Sequence, residues 1–225
     1  MKRIRWLAAN DDPCGFPDVS EALDDPAGLL VGGGDLSPER LVEAYRRGIF
    51  PWYSPGQPVL WWSPDPREVL FPGEFHLSRS LQRLLRRAAF RISEDQAFQQ
   101  VVSACAEPRP ASTGTWITPE MQSAYCELHH LGVAHSIEIW SGDALVGGLY
   151  GVRTGAVFCG ESMFSRQSNA SKAALAWLAR IAPERGIGLI DCQMPSAHLR
   201  SLGSRPLPRK QFLEWLQQGA SDRFN

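Results

Sequence analysis

Polar side chains interrupt two apolar segments of this sequence in a way that suits proton transfer or the orienting of a reacting group. In the segment LIDCQMP, the two-residue period of a β-strand sends Asp191 and Gln193 to one face. The same period sends Ile190 and Cys192 to the other face. A carboxylate and an amide on a shared face can exchange hydrogen bonds with a bound substrate. Asp191 and Gln193 are therefore candidate site residues.

Glu161 is the third candidate, because its surroundings are unusual for a charged side chain. It lies in AVFCGESMF, where strand geometry groups it with Val157, Cys159 and Met163 on one face. Burial of an unpaired carboxylate is costly, so an apolar strand rarely carries one unless something neutralises it or needs it. If the two segments are neighbouring strands, Glu161 converges on the Asp191 segment. A buried polar network that only fixes the sheet explains the same pattern, and both interpretations stay open.

The cysteines argue against a thiol-based site. They are odd in number, scattered and without a C-x-x-C pair, which disfavours a disulfide framework and a zinc site. They are Cys14, Cys105, Cys126, Cys159 and Cys192. Cys159 and Cys192 have apolar neighbours, which raise the pKa of a thiol and make it a poor nucleophile. We therefore expect reduced, mostly buried cysteines and no metal site.

The segment SRSLQRLLRRAAF predicts a helix with a basic stripe. At about 100° per residue, its arginines lie on one side and its apolar residues on the other. The arginines are Arg79, Arg83, Arg86 and Arg87, and the apolar residues are Leu81, Leu84, Leu85 and Ala88. Most basic stripes are solvated faces, but four arginines without an interleaved acid favour phosphate binding.

The elements that must position these residues follow from periodicity and from start and stop signals. Helical patterns cover HLSRSLQRLLRRAAF, TPEMQSAYCELHHLG and NASKAALAWLARIAPERG. Helix starts are indicated at Ser37–Pro38, at Thr118–Pro119 and at Ser168 or Asn169, and helix ends at Gly48 and Gly132. Strands are predicted in AHSIEIW, ALVGGLYGVRTGAVFCGESMF and GLIDCQM. A central sheet flanked by helices is the natural packing, so the fold class is α/β.

A Pro-rich stretch divides the chain. SPDPRE, at residues 63–68, interrupts regular structure and indicates a boundary near residue 65. We expect a small N-terminal α/β domain over residues 1–65 and a larger domain with the candidate site over residues 66–225. Trp52 and Trp116 on irregular segments suit base stacking, whereas for Trp61 and Trp62 hydrophobic packing is favoured.

The composition of the chain limits the classes of function that it can have. The 44% of hydrophobic residues can fill a proper core. With 23 Lys and Arg against 24 Asp and Glu, the whole molecule shows no sign of nucleic-acid or membrane binding, so any such role needs a local patch. MKRIRWLAANDDP has no apolar run of signal-peptide length, and no later stretch reaches membrane-spanning length. The expected location is cytoplasmic, with no membrane partner.

Long blocks in order resemble the leucyl/phenylalanyl-tRNA-protein transferase family. They run from Gly28 to about Leu216 and include GGDLSPERLVEAYRRGIFPW, LWWSPDPR, GTWIT, HSIEIW, LVGGLYGV, FCGESMFSRQSNASK and LIDCQ. The resemblance implies a small N-terminal domain followed by a domain with the Gcn5-related acetyltransferase-like fold. It also implies transfer of Leu or Phe, and of Met as a further possibility, from aminoacyl-tRNA. The implied acceptors are proteins that begin with Arg or Lys, which the transfer marks for degradation.

The resemblance also implies roles for individual residues. Glu161 and Gln193 resemble the catalytic pair of the family, and Asp191 resembles the residue that polarises Gln193. Trp52 and Trp116 resemble residues that hold the aminoacyl-adenosine end. The residues that resemble the lining for the Leu or Phe side chain are Leu149, Phe158, Met163 and Ile190. On this interpretation, the group that pairs with the carboxylate of Glu161 belongs to the substrate.

Two rival functions are weighed against this one. An acyl-CoA-dependent N-acetyltransferase binds pyrophosphate at a helix start after a glycine-containing loop, but SRQSNASK contains no glycine. A non-catalytic RNA-binding module explains the arginine stripe but not Glu161 and Gln193. Because the ester of aminoacyl-tRNA is already activated, aminolysis requires no metal or redox cofactor, and none is expected.

Overall fold

The structure is a computed structural model that describes residues 4–87, 89–108 and 115–218. Its α-helices are α1 Pro38–Arg46, α2 Arg79–Arg86, α3 Phe98–Ala106, α4 Pro119–His130, α5 Ala170–Ile181, α6 Ala197–Ser201 and α7 Arg209–Gln218. Its strands are β1 Arg5–Leu7, β2 Leu29–Gly33, β3 Phe50–Pro51, β4 Leu60–Trp62, β5 Arg67–Leu70, β6 Arg91–Glu94, β7 Ala134–Ser141, β8 Ala144–Thr154, β9 Val157–Ser165, β10 Leu189–Gln193 and β11 Arg205–Leu207. The α/β class predicted from the sequence is confirmed.

The strands form two sheets. The smaller sheet has the order β1-β2-β4-β3, and the larger has the order β11-β5-β10-β9-β8-β7-β6. Neighbours in the larger sheet are antiparallel except β9 and β10, which are parallel and joined through α5. A parallel pair needs such a crossover connection, because the chain must return to the same end of the sheet. This connection makes β9 and β10 neighbours, as the convergence of Glu161 on the Asp191 segment requires.

Two apolar clusters cover the two faces of the larger sheet. The first cluster joins the smaller sheet, α1, α3, α4 and α7 to the sheet face that carries Tyr150, Cys159 and Leu189. The second cluster joins α2 and α5 to the face that carries Leu149, Phe158 and Ile190. Burial on both faces explains why the central strands are apolar almost throughout.

The helix starts and stops predicted around α1 and α4 agree with the structure, whereas two predicted helices are too long. The one predicted over residues 76–90 is Arg79–Arg86, and the one predicted over residues 169–186 is Ala170–Ile181. Helix α4 begins after Thr118, whose hydroxyl accepts a hydrogen bond from the N–H of Met121 at 3.3 Å. Helix α1 begins at Pro38 and ends just before Gly48, which has a φ of +72°. That backbone conformation favours glycine, so the stop signal has a physical cause. Helix α5 follows Asn169, although this residue makes no side-chain cap.

Within the residues that the structure describes, no helix has both the length and the apolar character needed to cross a membrane.

Candidate active site

The candidate site lies where β9 and β10 separate. Their parallel pairing ends at Asp191 and Cys159, although β9 continues to Ser165 and β10 to Gln193. Past that point a side-chain bond replaces the backbone ladder, because Gln193 donates from Nε2 to Oε1 of Glu161 at 2.7 Å. The predicted convergence of these side chains is therefore confirmed. Glu161 and Gln193 are each 8% exposed, and they lie beyond Asp191 and Cys159, where the two strands are no longer paired. We call this unpaired region the opening between the strands.

Glu161 owes its direction to a β-bulge. Successive residues of β8 pair with Ser162 and Gly160, which leaves Glu161 as the extra residue of β9. Its side chain is 8% exposed, and Tyr125 on α4 donates a hydrogen bond to its Oε2 at 2.7 Å. The hydroxyl of Tyr45 on α1 lies 2.7 Å from that of Tyr125. Since Tyr125 has a single proton and gives it to Glu161, Tyr45 donates to Tyr125.

The environment of Glu161 makes its proton affinity unusual. Burial raises the pKa of Glu161 to about 7, although the hydrogen bond from Tyr125 acts in the opposite direction. Burial penalises the ionised form, whereas a donor that points at the carboxylate stabilises it. Near neutral pH, Glu161 therefore exchanges between an ionised form that accepts two hydrogen bonds and a protonated form.

The same bulge corrects one expectation of the strand pattern. Met163 does not share a face with Cys159, because Met163 packs against the second cluster while Cys159 belongs to the first. An extra residue shifts the alternation of side chains by one position, and the period of two fails beyond it. Met163 instead lies opposite Leu149 in the pairing of β8 and β9. It thereby joins the other residues that resemble the family's side-chain pocket.

These apolar residues come together on one face. Leu149, Phe158 and Ile190 are buried in the second cluster, and the partly buried Met163 packs against it. Beside Met163, at the end of β9, lies a cavity of about 420 Å³ that Ser171 of α5 and His198 of α6 also line. A cavity of this volume is large enough for a small-molecule ligand. Of the four apolar residues, Met163 lines this cavity, whereas Phe158 lines a separate one together with Ile137 and Leu178.

Asp191 is fully buried, and its partners differ from those expected. Arg67 of β5 donates to it twice, from Nε to Oδ1 at 2.8 Å and from Nη2 to Oδ2 at 2.7 Å. Oδ1 also accepts the backbone N–H of Gln193 at 2.8 Å. Asp191 therefore contacts the backbone of Gln193, and among the described residues nothing links it to the side-chain amide. Asp191 thus holds the backbone of Gln193, and no contact among the described residues corresponds to the polarised side chain that the resemblance implies.

Gln193 has a strained backbone and one open acceptor. Its φ is +61°, and the N–H of Met194 donates to the carbonyl of Cys192 at 2.7 Å, which makes Gln193 the centre of a γ-turn. Its Oε1 accepts no hydrogen bond from the described residues. Nor is it among their buried unsatisfied atoms, which are the hydroxyls of Ser37, Ser63 and Tyr150. Among the described residues, the amide oxygen of Gln193 is therefore an acceptor without a donor, in a residue that is 8% exposed.

The two candidate stacking residues lie on segments that meet. Trp52 is 40% exposed, and its ring lies 5.5 Å from that of Trp62 at an angle of 59°. Next to it, the hydroxyl of Tyr53 lies 3.4 Å from that of Thr118, just after Trp116. Trp116 is partly buried against the first cluster. Trp61 is fully buried, as its assignment to packing predicted.

The basic stripe is present and exposed. Arg79, Arg83 and Arg86 are exposed on α2, and Arg87 is exposed directly after it. Leu81 is buried while Leu84 and Leu85 pack against the second cluster, as the helical pattern predicted; Ala88 lies outside the described residues. Among those residues, no carboxylate forms an ion pair with the stripe. Its charges are available to an anionic partner.

The cysteines and possible metal ligands support no other chemistry. None of the five cysteines forms a disulfide, as predicted; Cys105 and Cys159 are buried, Cys126 and Cys192 are partly buried, and Cys14 is exposed. Burial raises the pKa of the Cys159 thiol and of the Cys192 thiol well above the ordinary value. In the part of the chain that the structure describes, no three His, Cys, Asp or Glu side chains are grouped to hold a metal ion.

Sequence reasoning missed three residues of the site, namely Tyr45, Tyr125 and Arg67. Each carries a signal in retrospect. A tyrosine on the apolar face of a helix needs a partner for its hydroxyl, and α1 and α4 each carry one such residue. An arginine at the start of a strand that is buried throughout, as β5 is, needs a buried acid in the same way. The sequence does not say which partner each of them meets.

The sequence of the chain matches a named protein family. Residues 69–217 match the family model described as leucyl/phenylalanyl-tRNA protein transferase, and residues 34–65 match the model for the N-terminal domain of that protein. The leucyl/phenylalanyl-tRNA–protein transferase of Azotobacter vinelandii is 57% identical over 205 residues, which cover 91% of each chain. That of Ectopseudomonas mendocina is 55% identical over 215 residues, or 96% of this chain and 94% of that one.

Solved structures give weaker matches. A GCN5-related N-acetyltransferase from Kribbella flavida is 12% identical, with a TM-score of 0.37 over 73% of this chain and 58% of that one. L-PGS from Bacillus licheniformis is 11% identical, with a TM-score of 0.42 over 74% of this chain and 53% of that one.

Proposed function

The chain belongs to the leucyl/phenylalanyl-tRNA–protein transferase family, and from this premise we propose that Glu161 and Gln193 form its reaction centre. The chain is accordingly an aminoacyltransferase that moves Leu or Phe from tRNA to a protein. The proposal extends to the acceptors, which are proteins with N-terminal Arg or Lys, and to a role of the product as a degradation signal. It also includes a domain boundary near residue 65, between β4 and β5.

The reaction requires positioning more than activation. The amine nitrogen of the acceptor attacks the ester carbonyl carbon, a C–N bond forms, and the C–O bond to the terminal ribose of the tRNA breaks. The proton lost by the amine ends on the ribose oxygen that leaves. The enzyme must hold the amine against the ester, assist loss of its proton and stabilise the tetrahedral oxyanion.

The observation that carries the proposal is the hydrogen bond between Glu161 and Gln193 at the opening between the strands. Ionised Glu161 only accepts hydrogen bonds, so it requires the NH₂ group of Gln193 to face inward. The side-chain carbonyl oxygen of Gln193 then faces the opening, where it accepts a hydrogen bond from the incoming amine. This hydrogen bond directs the lone pair of the amine nitrogen at the ester carbonyl carbon. Glu161 acts by fixing the amide in this direction, and Asp191 by holding the backbone of Gln193.

Transfer assays test this function against its rivals. Radiolabelled Leu on tRNA should move to a peptide that begins with Arg, and not to the same peptide with an acetylated N-terminus. The rival acetyltransferase activity predicts acetyl transfer from acetyl-CoA to the free peptide. Binding of tRNA without either transfer would support the RNA-binding module and overturn the proposal.

We further propose that Leu149, Phe158, Met163 and Ile190 hold the donor side chain. The surface they form in the second cluster is apolar, so it selects by shape. We expect rejection of β-branched Ile and Val and use of unbranched Met, although one methylene is worth only about 1–3 kcal/mol. The measurement is competition between Leu and Ile loaded on one tRNA body, so that only the side chain differs. Equal use of Leu and Ile would contradict the pocket.

The arginines of α2 are proposed to contact tRNA phosphates. Phosphate contacts add affinity without reading sequence, so the double variant Arg83→Ala/Arg86→Ala should weaken binding of all donor tRNAs alike. The dependence of log affinity on log salt should flatten by about 0.7 to 0.9 for each phosphate that the variant no longer neutralises. Reaction with a short aminoacyl-adenosine, which lacks the tRNA body, should stay at the wild-type rate.

A control for this prediction removes the same charge elsewhere. Arg91→Ala/Arg180→Ala changes two exposed arginines that lie over Trp140 and Trp177. Its salt slope should equal that of the wild type. If the slopes of both double variants run parallel to that of the wild type, α2 is only a solvated face.

A further inference from the structure

Arg67 occupies a position that neither the family resemblance nor the reaction chemistry explains. We propose that Arg67 is a positioning residue of the reaction centre, which locks Asp191 so that Asp191 holds Gln193 in its strained turn. The inference rests on the proposed role of Gln193. It assigns Arg67 no contact with the substrate, and it predicts that Arg67 acts on the reaction only through Gln193.

Hydrogen bonds and two aromatic rings hold the guanidinium of Arg67 in place. The side chain is 1% exposed, and its fork holds both carboxylate oxygens of Asp191. The third nitrogen, Nη1, donates to the carbonyl of Gly48, just after the end of α1, at 3.2 Å. The rings of Phe50 and Phe212 lie over it at 4.6 and 4.7 Å. A bidentate pair of this kind fixes the rotation of a carboxylate as well as its charge.

The backbone of Gln193 needs this support. A positive φ is unfavourable for a residue with a side chain, and such strain persists only where the surroundings over-determine it. Two contacts hold Gln193, one from Asp191 to its N–H and one from Glu161 to its amide. The pairing of β10 with β5 also shifts register between Asp191 and Gln193. This irregularity lies at the end of β10, where Gln193 leaves the regular pairing.

The two contacts divide the task of holding Gln193. Glu161 determines which end of the Gln193 side-chain amide faces the opening. Asp191 determines the position of the Gln193 backbone, and therefore the position of the amide. If Asp191 were free to rotate, its Oδ1 would leave the N–H of Gln193, and the turn would lack the hydrogen bond that offsets its strain. Arg67 removes that freedom. Gly48, after α1, and Phe212, in α7, thereby contribute to the geometry of the reaction centre.

The test is a pair of substitutions measured alone and together. Arg67→Lys keeps the charge but removes the fork, so Asp191 is no longer held at both oxygens. Single-turnover transfer should slow by roughly tenfold to a hundredfold, as expected when a reacting group is misplaced by about 1 Å. The KM for aminoacyl-tRNA should stay unchanged, because no binding residue is altered. In a Gln193→Ala background, Arg67→Lys should cause no further decrease in rate, since the group it positions is gone.

Arg40→Lys is the matched control. Arg40 is also fully buried and also pairs with an acid, Asp35, at 3.3 Å, but its other partners are the carbonyls of Asp11 and Asp12. The Arg40→Lys variant should have a lower melting temperature than the wild type but the same transfer rate. If the Arg67→Lys variant shows no cooperative melting, Asp191→Asn takes its place in the double-mutant cycle with Gln193→Ala. Asparagine keeps the shape of the Asp191 side chain and one of its acceptor oxygens.

The outcomes separate the inference from the function on which it rests. A wild-type rate for Gln193→Ala alone overturns the proposed reaction centre. If Gln193→Ala is slow but Arg67→Lys slows transfer by the same factor in both backgrounds, or lowers only the melting temperature, Arg67 is structural and this inference fails. A decrease in rate in the wild-type background alone supports it.

Discussion

Replacing Gln193 by alanine should lower the rate of aminoacyl transfer by on the order of a hundredfold or more, because it removes an oriented polar group from an acyl-transfer centre. Glu161→Gln should be about as slow, although it preserves shape. A neutral amide at position 161 can donate to the carbonyl of Gln193, which lets the Gln193 amide turn over and present its NH₂ group to the substrate. That group cannot accept a hydrogen bond from the amine.

The measurement is transfer of radiolabelled Leu from charged tRNA to an Arg-starting peptide, with circular dichroism and melting curves for each variant. Gln193→Asn keeps the amide but shortens its reach to Glu161, and it should also be slow. Gln99→Ala, at an exposed position of α3, is the control and should match the wild type. If Gln193→Ala and Glu161→Gln are folded and transfer near the wild-type rate, the assignment of the centre is wrong.

The rate of transfer should fall steeply as the pH drops below 7, because two groups must then lose protons. One is the acceptor amine, and the other is Glu161, whose pKa burial raises to about 7. Ionised Glu161 holds the amide in the productive direction, so protonation of Glu161 reduces activity. Log rate should approach a slope of about two against pH in the wild type and a slope of about one in Glu161→Gln. Single-turnover rates at saturating aminoacyl-tRNA report these slopes.

Two tyrosine variants test the origin of this pH dependence. Tyr125→Phe removes a donor that stabilises ionised Glu161, so the pKa of Glu161 and the lower limb of the profile should move to higher pH. Tyr150→Phe is the matched control, because the buried hydroxyl of Tyr150 has no hydrogen-bond partner among the described residues and its ring lies 5.3 Å from that of Tyr125. If the slope of log rate against pH is about one in the wild type, or if the lower limb of the profile shifts equally in the two variants, Glu161 does not contribute to the pH dependence.

Much of this protein can be predicted from the sequence because local rules determine it. The period of about 3.6 residues places Leu81, Leu84 and Leu85 inward and leaves the arginines of α2 exposed. Thr118 and Gly48 mark helix ends through their own hydrogen bonding and backbone preference. Glu161 stands out because a lone carboxylate in an apolar strand is costly. Each of these signals lies within a few residues of the feature it predicts.

Only the tertiary structure decides which groups meet in the site. Tyr45, Tyr125 and Arg67 come from α1, α4 and β5, far along the chain from Glu161 and Asp191, and their pairing depends on how the layers pack. The bulge at Glu161 is likewise a property of strand pairing, and it moves Met163 to the opposite face from the one that strict alternation predicts. Periodicity fixes which face a residue prefers, but long-range contacts fix the register, because a shift of one residue reverses every side chain beyond it.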